Sequence, residues 1–327
     1  MKNTAPRQDY TRLAKTADPI VVPSASPWLS SINAISTAVA RSPLIHHALS
    51  ALLVVGLPGI GLYARFVEPT WLRVKRLAVP LPSLPLDLDG LRIIHLSDLH
   101  VGSEVPAWFL RKVVATVQRL APDVIVLTGD FVHSRPEDAD NLFSLLQNLR
   151  APHGVFAVLG NHDYAVNHPG NPGIPGVEDI VIAALERAGA IVLRNDETEI
   201  VAGRSRLPLY GVDELWSGRA CVSRLSSTIP VLPRIVLCHN PDVVQFLPEK
   251  NSDLVLCGHT HGGQVRIPPF PPLLTMTSDR RYWGGLSARG DGWVFVSRGI
   301  GYTWRVRFAA RPECVEITLR RNERSRT

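Results

Sequence analysis

The sequence has little cysteine and no evident internal repeat. Its 327 residues include four cysteines, and no two of them form a Cys-x-x-Cys pair. Four cysteines in a chain of this length exclude a disulfide framework, and the missing short spacing argues against a structural zinc site held by thiolates. Cys238 and Cys257 lie in apolar runs, so we expect buried free thiols, which favour a reducing compartment.

A large excess of one charge is also absent. The formal net charge is +6 and the sequence pI is near 9.4. This mild excess suits an anionic partner without identifying its class, and we expect no nucleic acid. Hydrophobic residues make up 45% of the chain, which is enough for the core of one large domain or of two ordinary ones.

A long hydrophobic run occupies residues 44–64, which contain no Asp, Glu, Lys or Arg. About 20 apolar residues is the length that a membrane-spanning helix needs, so we expect an N-terminal hydrophobic helix that anchors the protein. His46, His47 and Pro58 leave a buried core helix or an interfacial segment open as alternatives. The preceding residues 1–43, rich in Ser, Ala and Pro, predict a disordered tail.

The sequence shows no signal for proteolytic cleavage of this hydrophobic run. It begins far from the N-terminus, lacks a convincing small-residue cleavage site and follows no twin-arginine. Close to the run, basic residues are more numerous after it than before it, and Arg65 and Arg73 are among them. These charges predict a single-pass protein of the inner or cytoplasmic membrane with its folded domain in the cytoplasm, and an extracytoplasmic domain is the alternative.

Short apolar runs alternate with amphipathic stretches from residue 91 onward. The run "LRIIHLSDLH" precedes a helical pattern, and the alternation repeats through "DVIVLTGD" and "GVFAVLGNHD". This order predicts an α/β layered domain over residues 91–321. Residues 65–90 are then expected to be a linker and lead-in, and residues 322–327 a tail.

Polar side chains follow five of the apolar runs, at the point where each predicted strand ends. These side chains are Asp98 and His100, Asp130, Asn161, His162 and Asp163, His239, and finally His259 and His261. Ligands bind at the carboxyl ends of strands in such folds, so we expect the residues to build one site. Taken singly, each has a plainer explanation, because Asp often caps a helix and a lone His is often a surface or hydrogen-bonded core residue.

The candidate ligands are oxygen and nitrogen atoms without thiolate. This set suits divalent Mn, Fe, Zn or Mg, and we expect two such ions that share Asp130. Zinc held by Cys238 or Cys257 is the weaker alternative, because neither cysteine has the short spacing of a structural zinc site. Two ions about 3.5 to 4 Å apart lower the pKa of a shared water and clamp the oxygens of an in-line displacement on phosphorus.

The ordered series D-x-H, G-D, G-N-H-D, H-N-P-D and G-H-T-H resembles the calcineurin-like metallophosphoesterase superfamily over about residues 91–320. The segments "GHTHGGQVRIP" and "SRGIGYTWRVRF" are similar to its membrane-associated branch, which includes phosphodiesterases and UDP-2,3-diacylglucosamine pyrophosphatases. The resemblance implies a four-layer αββα sandwich, the metallo-dependent phosphatase fold, with a two-metal centre at its rim. It also implies hydrolysis of phosphoester or pyrophosphate bonds, here in a lipid-metabolism setting.

The resemblance also implies roles for individual residues. Asp130 would bridge two ions, the first bound by Asp98, His100, Asp130 and His261, and the second by Asp130, Asn161, His239 and His259. The implied catalytic residues are His162 and the adjacent Asp163. His162 would stabilise the transition state and protonate the leaving oxygen.

One position departs from the pattern of the superfamily. Many members have an aspartate three residues after the bridging aspartate, where it orients the catalytic histidine, and this sequence has His133. Either Asp163 or a water then supports His162, or His133 contacts substrate phosphate as a cation. A solvent-facing His133 without a role is equally open.

The substrate is less constrained than the chemistry. Residues 266–285 combine prolines with Arg280, Arg281, Tyr282 and Trp283, which suits either a lipid-facing rim or an ordinary packed loop. Three functions remain: hydrolysis of a membrane-linked pyrophosphate or phosphodiester such as UDP-2,3-diacylglucosamine, hydrolysis of a soluble phosphoester, and a non-catalytic metal-dependent scaffold. Because all seven ligand positions are filled, the scaffold is the weakest of the three.

Overall fold

The computed structural model describes residues 52–226, 233–248, 253–272 and 275–322, together with residues 44, 45 and 47. Residues Ile60–Thr327 form one compact unit. The strands, in chain order, are β1 (Arg73–Pro82), β2 (Arg92–Leu96), β3 (Val124–Thr128), β4 (Val155–Val158), β5 (Ile191–Val192), β6 (Asp196–Ala202), β7 (Ser205–Gly211), β8 (Ile235–Leu237), β9 (Leu254–Cys257), β10 (Gly285–Arg289), β11 (Gly292–Val296) and β12 (Glu313–Asn322). The described α-helices are α1 (Leu57–Leu62), α2 (Ala107–Leu120), α3 (Ala139–Leu146), α4 (Val177–Arg187) and α5 (Ser223–Ser226).

The strands form two mixed sheets of six strands each. The first has the order β1-β12-β2-β3-β4-β5, in which β2 to β5 run parallel and β12 is antiparallel to β2. The second has the order β10-β11-β9-β8-β7-β6, in which β11, β9, β8 and β7 run parallel and the edge strands β10 and β6 are antiparallel. The predicted α/β class is therefore confirmed.

Alternation along the strands determines how the layers pack. In β2, Ile93 faces the second sheet and Ile94 faces the helices, and β3 repeats the pattern with Val126 and Leu127. Side chains of both sheets share one apolar core, to which Phe295 of β11 contributes from the opposite side. Successive strand residues point to opposite faces, so a strand buried on both faces must be apolar throughout.

Helices cover the outer face of the first sheet, where Phe109 and Val113 of α2 pack with Leu142 of α3. The outer face of the second sheet is covered more thinly in the part of the chain that the structure describes. There, α5 and the 3₁₀ helix Pro241–Phe246 pack on Val236 and Val255. The fourth layer of the implied sandwich thus consists of short helical segments.

The predicted N-terminal hydrophobic helix over residues 44–64 is not supported. Its described part is divided among a π-helical segment (Leu52–Gly56), the six-residue α1 and a second π-helical segment that begins at Tyr63. Among the described residues, no helix combines the length and the apolar character needed to cross a membrane. The predicted tail 1–43 and residues 46 and 48–51 lie outside the described residues.

The end of the predicted anchor belongs to the folded unit. The ring of Tyr63 lies 6.3 Å from that of Phe308, and the carbonyl of Ala64 accepts a hydrogen bond from the backbone of Arg307. Ala64 is consequently buried against protein. Downstream, β1 lies within residues 65–90, so the first sheet begins before residue 91.

Candidate metal centre

The structure brings the candidate side chains together at the carboxyl ends of five strands. Residues 98–100 follow β2, Asp130 follows β3, residues 161–163 follow β4, His239 follows β8 and residues 259–261 follow β9. The parallel register places Leu96 beside Leu127 and Leu237 beside Leu256, so the ends of neighbouring strands coincide. Every sequence-predicted site residue is buried there.

One group of ligand atoms comes from Asp98, His100, Asp130 and His261, and these atoms lie within 4.8 Å of one another. Nε2 of His100 lies 3.6 Å from Oδ2 of Asp130 and 3.1 Å from Nε2 of His261. Nε2 of His261 in turn lies 3.5 Å from Oδ1 of Asp98. Two carboxylates and two imidazoles therefore converge on one point.

A second group shares Asp130 with the first and adds His239 and His259. Nε2 of His239 lies 3.2 Å from Oδ2 of Asp130 and 3.2 Å from Nδ1 of His259. Oδ1 of Asn161 lies 3.0 Å from the same Nδ1, while the amide nitrogen of Asn161 donates to the carbonyl of Val166 and so directs Oδ1 toward the histidines. The oxygen and nitrogen atoms predicted for a second ion are thus adjacent to those of the first.

The protonation chemistry of the histidines fits a metal ion. Burial lowers the pKa of His259 to about 3 and holds the pKa values of His100 and His261 well below the usual range. These rings are therefore neutral, as coordination requires. Nδ1 of His239 lies 2.8 Å from the carbonyl of Thr128 and donates to it, so Nε2 is the ring atom that faces Asp130.

The buried carboxylates of the centre favour a positive charge next to them. Burial raises the pKa of Asp98 to about 6, and the neighbouring Asp130 carboxylate adds to that effect. Burial lowers the pKa of His239, but the charges of Asp130 and Asp98 outweigh it and bring the value to about 10. A proton on His239 thus places a positive charge beside the two buried carboxylates. A divalent ion would satisfy the same demand without protonating the ring.

Five of the site residues have left-handed backbone conformations. Asp98, His100, Asp130, His259 and His261 all have positive φ, between 47° and 71°. Such angles are uncommon outside glycine, and they persist where surrounding structure enforces them. With these backbone angles, side chains that follow strands of both sheets point toward the same centre.

Glycine at position 258 permits the close approach of β9 to the loop after β2. A Cβ there would lie 1.8 Å from Oγ of Ser97 and 2.6 Å from Oδ2 of Asp98. The backbone nitrogen of the next residue, His259, donates to Oδ1 of Asp98 over 3.0 Å. The absence of a side chain at Gly258 therefore lets the two sheets meet at the centre.

His162 lies at the edge of both groups, and its backbone nitrogen donates to Oδ1 of Asp130 over 2.9 Å. Nδ1 of its ring lies 3.0 Å from Oγ of Ser134, which is also 3.3 Å from Oδ1 of Asn167. Sequence reasoning missed Ser134. Its position four residues after Asp130, beside the divergent His133, was the available signal.

The contacts of Asp163 are with backbone groups rather than with the ring of His162. One of its carboxylate oxygens accepts the backbone N–H groups of Phe131 and Val132, and the other accepts that of Gly160. Burial raises its pKa to about 7, and Asp130 adds to the effect. The contacts of Asp163 tie the loop after β3 to the loop after β4, whereas the ring of His162 contacts Ser134.

His133 is half-buried beside these residues. Its ring stacks on that of His162 at 5.0 Å and meets that of His100 edge-on at 5.5 Å. Burial lowers the pKa of His133, and the neighbouring His162 adds to the effect. In the free protein it therefore offers a neutral ring to the cavity that it lines.

A cavity of about 390 Å³ opens over the centre, and its walls include Asp130, His259 and His261. Two tryptophans that sequence reasoning missed line it as well. Trp216 meets the ring of His259 edge-on at 4.5 Å, and Trp304 lies at the edge of the cavity with 72% of its surface exposed. No local pattern marks either tryptophan, because distant loops bring them to the centre.

Part of the loop at residues 266–285, which was predicted either to contact substrate or to pack, lies against other parts of the protein. Arg281 pairs with Asp279 at 2.6 Å, and Tyr282 is buried in the outer core of the second sheet. Both line a separate cavity beside Asp242. The guanidinium of Arg266 lies 4.5 Å above the ring of Trp283, which supports the packed-loop alternative for this stretch.

Comparison with known proteins agrees with this geometry. Residues 91–263 match the family described as calcineurin-like phosphoesterase. Phosphodiesterase YaeI of Escherichia coli K12 is 33% identical over 265 residues, which cover 79% of this chain and 92% of that protein. UDP-2,3-diacylglucosamine pyrophosphatase LpxG of Chlamydia trachomatis is 30% identical over 299 residues, which cover 77% and 90%.

A third relative carries the name transmembrane protein with metallophosphoesterase domain and comes from Danio rerio. It is 28% identical over 310 residues, which cover 89% of this chain and 67% of that protein. The family match covers the five strand ends that build the centre, and the first two relatives are similar over most of their length. The chain therefore belongs to the calcineurin-like phosphoesterase family and is a metal-dependent phosphoester hydrolase.

Proposed function

We propose that the protein hydrolyses a phosphodiester or pyrophosphate bond in a membrane-linked substrate that resembles UDP-2,3-diacylglucosamine. The observation that carries this proposal is the pair of tryptophans beside the metal centre, since Trp216 and Trp304 line the cavity together with polar side chains. Aromatic surface next to a hydrolytic centre suits a substrate with an apolar arm. The similarity to relatives named YaeI and LpxG supports the same substrate class.

Two divalent ions, Mn, Fe, Zn or Mg, would be held at the two groups that share Asp130. The first would take Asp98, His100, Asp130 and His261, and the second Asp130, Asn161, His239 and His259. Such ions supply activation of water and neutralisation of phosphate charge. Both groups offer oxygen and imidazole nitrogen, which suits this range of metals.

Residues of the chain supply the remaining functions. Nδ1 of His162 is engaged by Ser134, so Nε2 is the ring atom available to donate a proton to the leaving oxygen. The neutral ring of His133 stacks on His162 and holds it against the cavity. Asp163 positions the loops that carry Asp130 and His162 through its three backbone hydrogen bonds.

The proposed location is the inner or cytoplasmic membrane, with the hydrolase domain on the cytoplasmic side. The uncharged run at residues 44–64 and the basic residues after it support this location. The Danio rerio relative, which is named a transmembrane protein, supports a membrane location. The proposed domain spans residues 91–321 with β1 as its lead-in.

The experiment compares kcat/KM on UDP-2,3-diacylglucosamine with kcat/KM on its deacylated analogue, with manganese present. Each acyl methylene that the protein buries contributes up to about 0.8 kcal/mol, or roughly fourfold in efficiency, so a few of them give a large preference. We expect the acylated substrate to be preferred by at least about 100-fold. Equal efficiency on both would replace the proposal with a general phosphodiesterase.

A further inference from the structure

Large apolar side chains are exposed on three segments near the opening of the cavity. We call them the apolar rim: Phe66, Val67, Val265, Ile267, Phe270 and Trp304. Their exposed fractions range from 46% for Val265 to 72% for Trp304. Exposed apolar residues are ordinary when they are scattered, but a contiguous group marks a surface that meets a partner or a lipid.

Contacts between the three segments make the rim contiguous. The side chain of Arg65 donates to the carbonyl of Arg305, which joins the segment of Phe66 to that of Trp304. Gln264 donates to the carbonyls of Trp304 and Val306, and Val265 forms a β-bridge with Phe308. The rim is consequently one surface rather than three separate loops.

Several arginines lie within the rim segments or close to them. The guanidinium of Arg305 lies 5.7 Å from the ring of Phe66, and that of Arg311 lies 4.1 Å from the ring of Trp71, which is itself half exposed. Arg65 and Arg266 belong to the same segments, and Arg65 pairs with Glu104. Aromatic and aliphatic side chains bordered by arginine are typical of surfaces that enter the headgroup region of a bilayer.

Trp304 connects the rim to the centre, because it belongs to the rim and also lines the cavity beside His261. A flat surface that covered the rim would therefore lie across the opening of the cavity. An anionic lipid surface matches both parts of the rim, since its phosphates pair with the arginines and its acyl boundary accepts the apolar side chains.

We propose that the apolar rim docks the protein on the surface of an anionic bilayer, with the cavity opening toward the lipid. The inference deepens the proposed function and rests on it for the membrane location of the substrate. It names the part of the folded unit that contacts the bilayer, independently of residues 44–59. Docking in this orientation delivers a lipid-linked phosphate to the metal centre without full extraction of its acyl chains.

The test places an environment-sensitive fluorophore on the rim of the full-length chain. Phe270→Cys, with 66% exposure at Phe270, is labelled with a nitrobenzoxadiazole dye in a Cys221→Ser background, because Cys221 is the exposed cysteine. Ile180→Cys on α4, 46% exposed in the native protein, is the matched control away from the rim. Ile267→Cys provides a second rim position in case the first variant does not fold, and turnover of a soluble phosphodiester reports folding for each.

Vesicles of phosphatidylcholine with phosphatidylglycerol should shift the rim label to shorter wavelength and increase its intensity several-fold, and leave the control label unchanged. Vesicles of phosphatidylcholine alone should give a smaller change at the rim. A rim label unaffected by anionic vesicles, or equal changes at both positions, overturns the proposal. A shift without vesicles that grows with protein concentration instead assigns the rim to contact between two copies.

This readout is independent of the proposed substrate. A preference for acylated substrate without a change at the rim would leave the proposed function standing and remove the docking surface. A change at the rim with equal turnover of acylated and deacylated substrates would support the docking surface and contradict the proposed substrate.

Discussion

Oδ2 of Asp130 lies 3.2 Å from Nε2 of His239, although the two residues follow strands of different sheets. Asp130 is also part of the group formed with Asp98. Burial raises the pKa of Asp130, but the surrounding histidines, His239 foremost, outweigh that effect and hold the pKa well below the usual range. One permanently ionised carboxylate thus joins the two sheets at the centre.

Removal of that charge should empty the centre. We expect Asp130→Asn to lose most bound metal and most activity, because both ligand groups share the carboxylate. His162→Ala should keep its metal, while kcat falls roughly 10²- to 10⁴-fold, the usual contribution of a general acid. Elemental analysis and kcat measured on the same preparations separate the two roles. Loss of metal from the His162 variant, with retention in the Asp130 variant, would contradict both assignments.

Ser134 offers a finer test of the proposed proton donor. Its Oγ lies 3.0 Å from Nδ1 of His162, and we expect Ser134→Ala to lower kcat by roughly three- to tenfold, the value of one hydrogen bond of about 1 kcal/mol. KM and metal content should stay unchanged, since Ser134 is in neither ligand group. Ser134→Thr keeps the hydroxyl and should recover most of the rate. If the alanine and threonine variants were equally slow, the effect would come from packing instead.

Much of the centre was accessible from the sequence because its residues follow apolar runs. A buried strand of a parallel sheet needs a continuous apolar stretch, so the ends of β2, β3, β4, β8 and β9 were evident from local composition. The carboxyl ends of parallel strands meet at one edge, which predicts that Asp98 and Asp130 lie close together. The structure places them in one group of ligand atoms. Their roles as ligands stay a prediction.

Other features depend on contacts between distant parts of the chain and left no local signal. β12 enters between β1 and β2, although more than 200 residues separate it from them in sequence. Trp304 reaches the cavity through a loop whose position depends on Gln264 and Arg65. The run at residues 44–64 is the converse case, because its apolar composition was visible in the sequence while the burial of Ala64 against the folded unit was not.

The close packing at Gly258 predicts a second way to lose metal. A Cβ at this position would meet Ser97 and Asp98, so we expect Gly258→Ala to displace the Asp98 carboxylate and reduce metal content, and to cost about 1 to 3 kcal/mol of stability. Gly284→Ala is the matched control, because the nearest atom to its added Cβ is Cα of Gly262 at 3.6 Å, an ordinary contact. Elemental analysis and thermal unfolding of both variants provide the comparison. Full metal occupancy in the Gly258 variant would show that the loop after β2 can move to accommodate the added methyl group.

We expect acid stability to depend on His95, which lies between the two sheets. It is fully buried, with Nε2 2.7 Å from Oγ1 of Thr128 and its ring edge-on to that of Phe295 at 5.9 Å. Burial lowers its pKa to about 3, while in the unfolded chain the pKa is about 6.5. Between about pH 6.5 and about pH 3, His95 therefore binds a proton in the unfolded state but not in the folded state. The stability that the neutral ring contributes is fully present above about pH 6.5 and is lost as pH falls toward about 3.

Replacement of His95 by a residue that does not titrate should flatten this dependence. Between about pH 7 and about pH 5, we expect the free energy of unfolding of His95→Gln to fall by about 2 kcal/mol less than that of the native protein. Denaturant unfolding at both pH values, with metal removed by a chelator from both proteins, measures the difference, because the other buried histidines contribute equally to each. His168→Gln, which alters an exposed ring, should follow the native curve. Parallel curves for the native protein and the His95 variant would mean that the ring takes up a proton inside the fold, and that the space between the sheets admits charge more easily than its burial indicates.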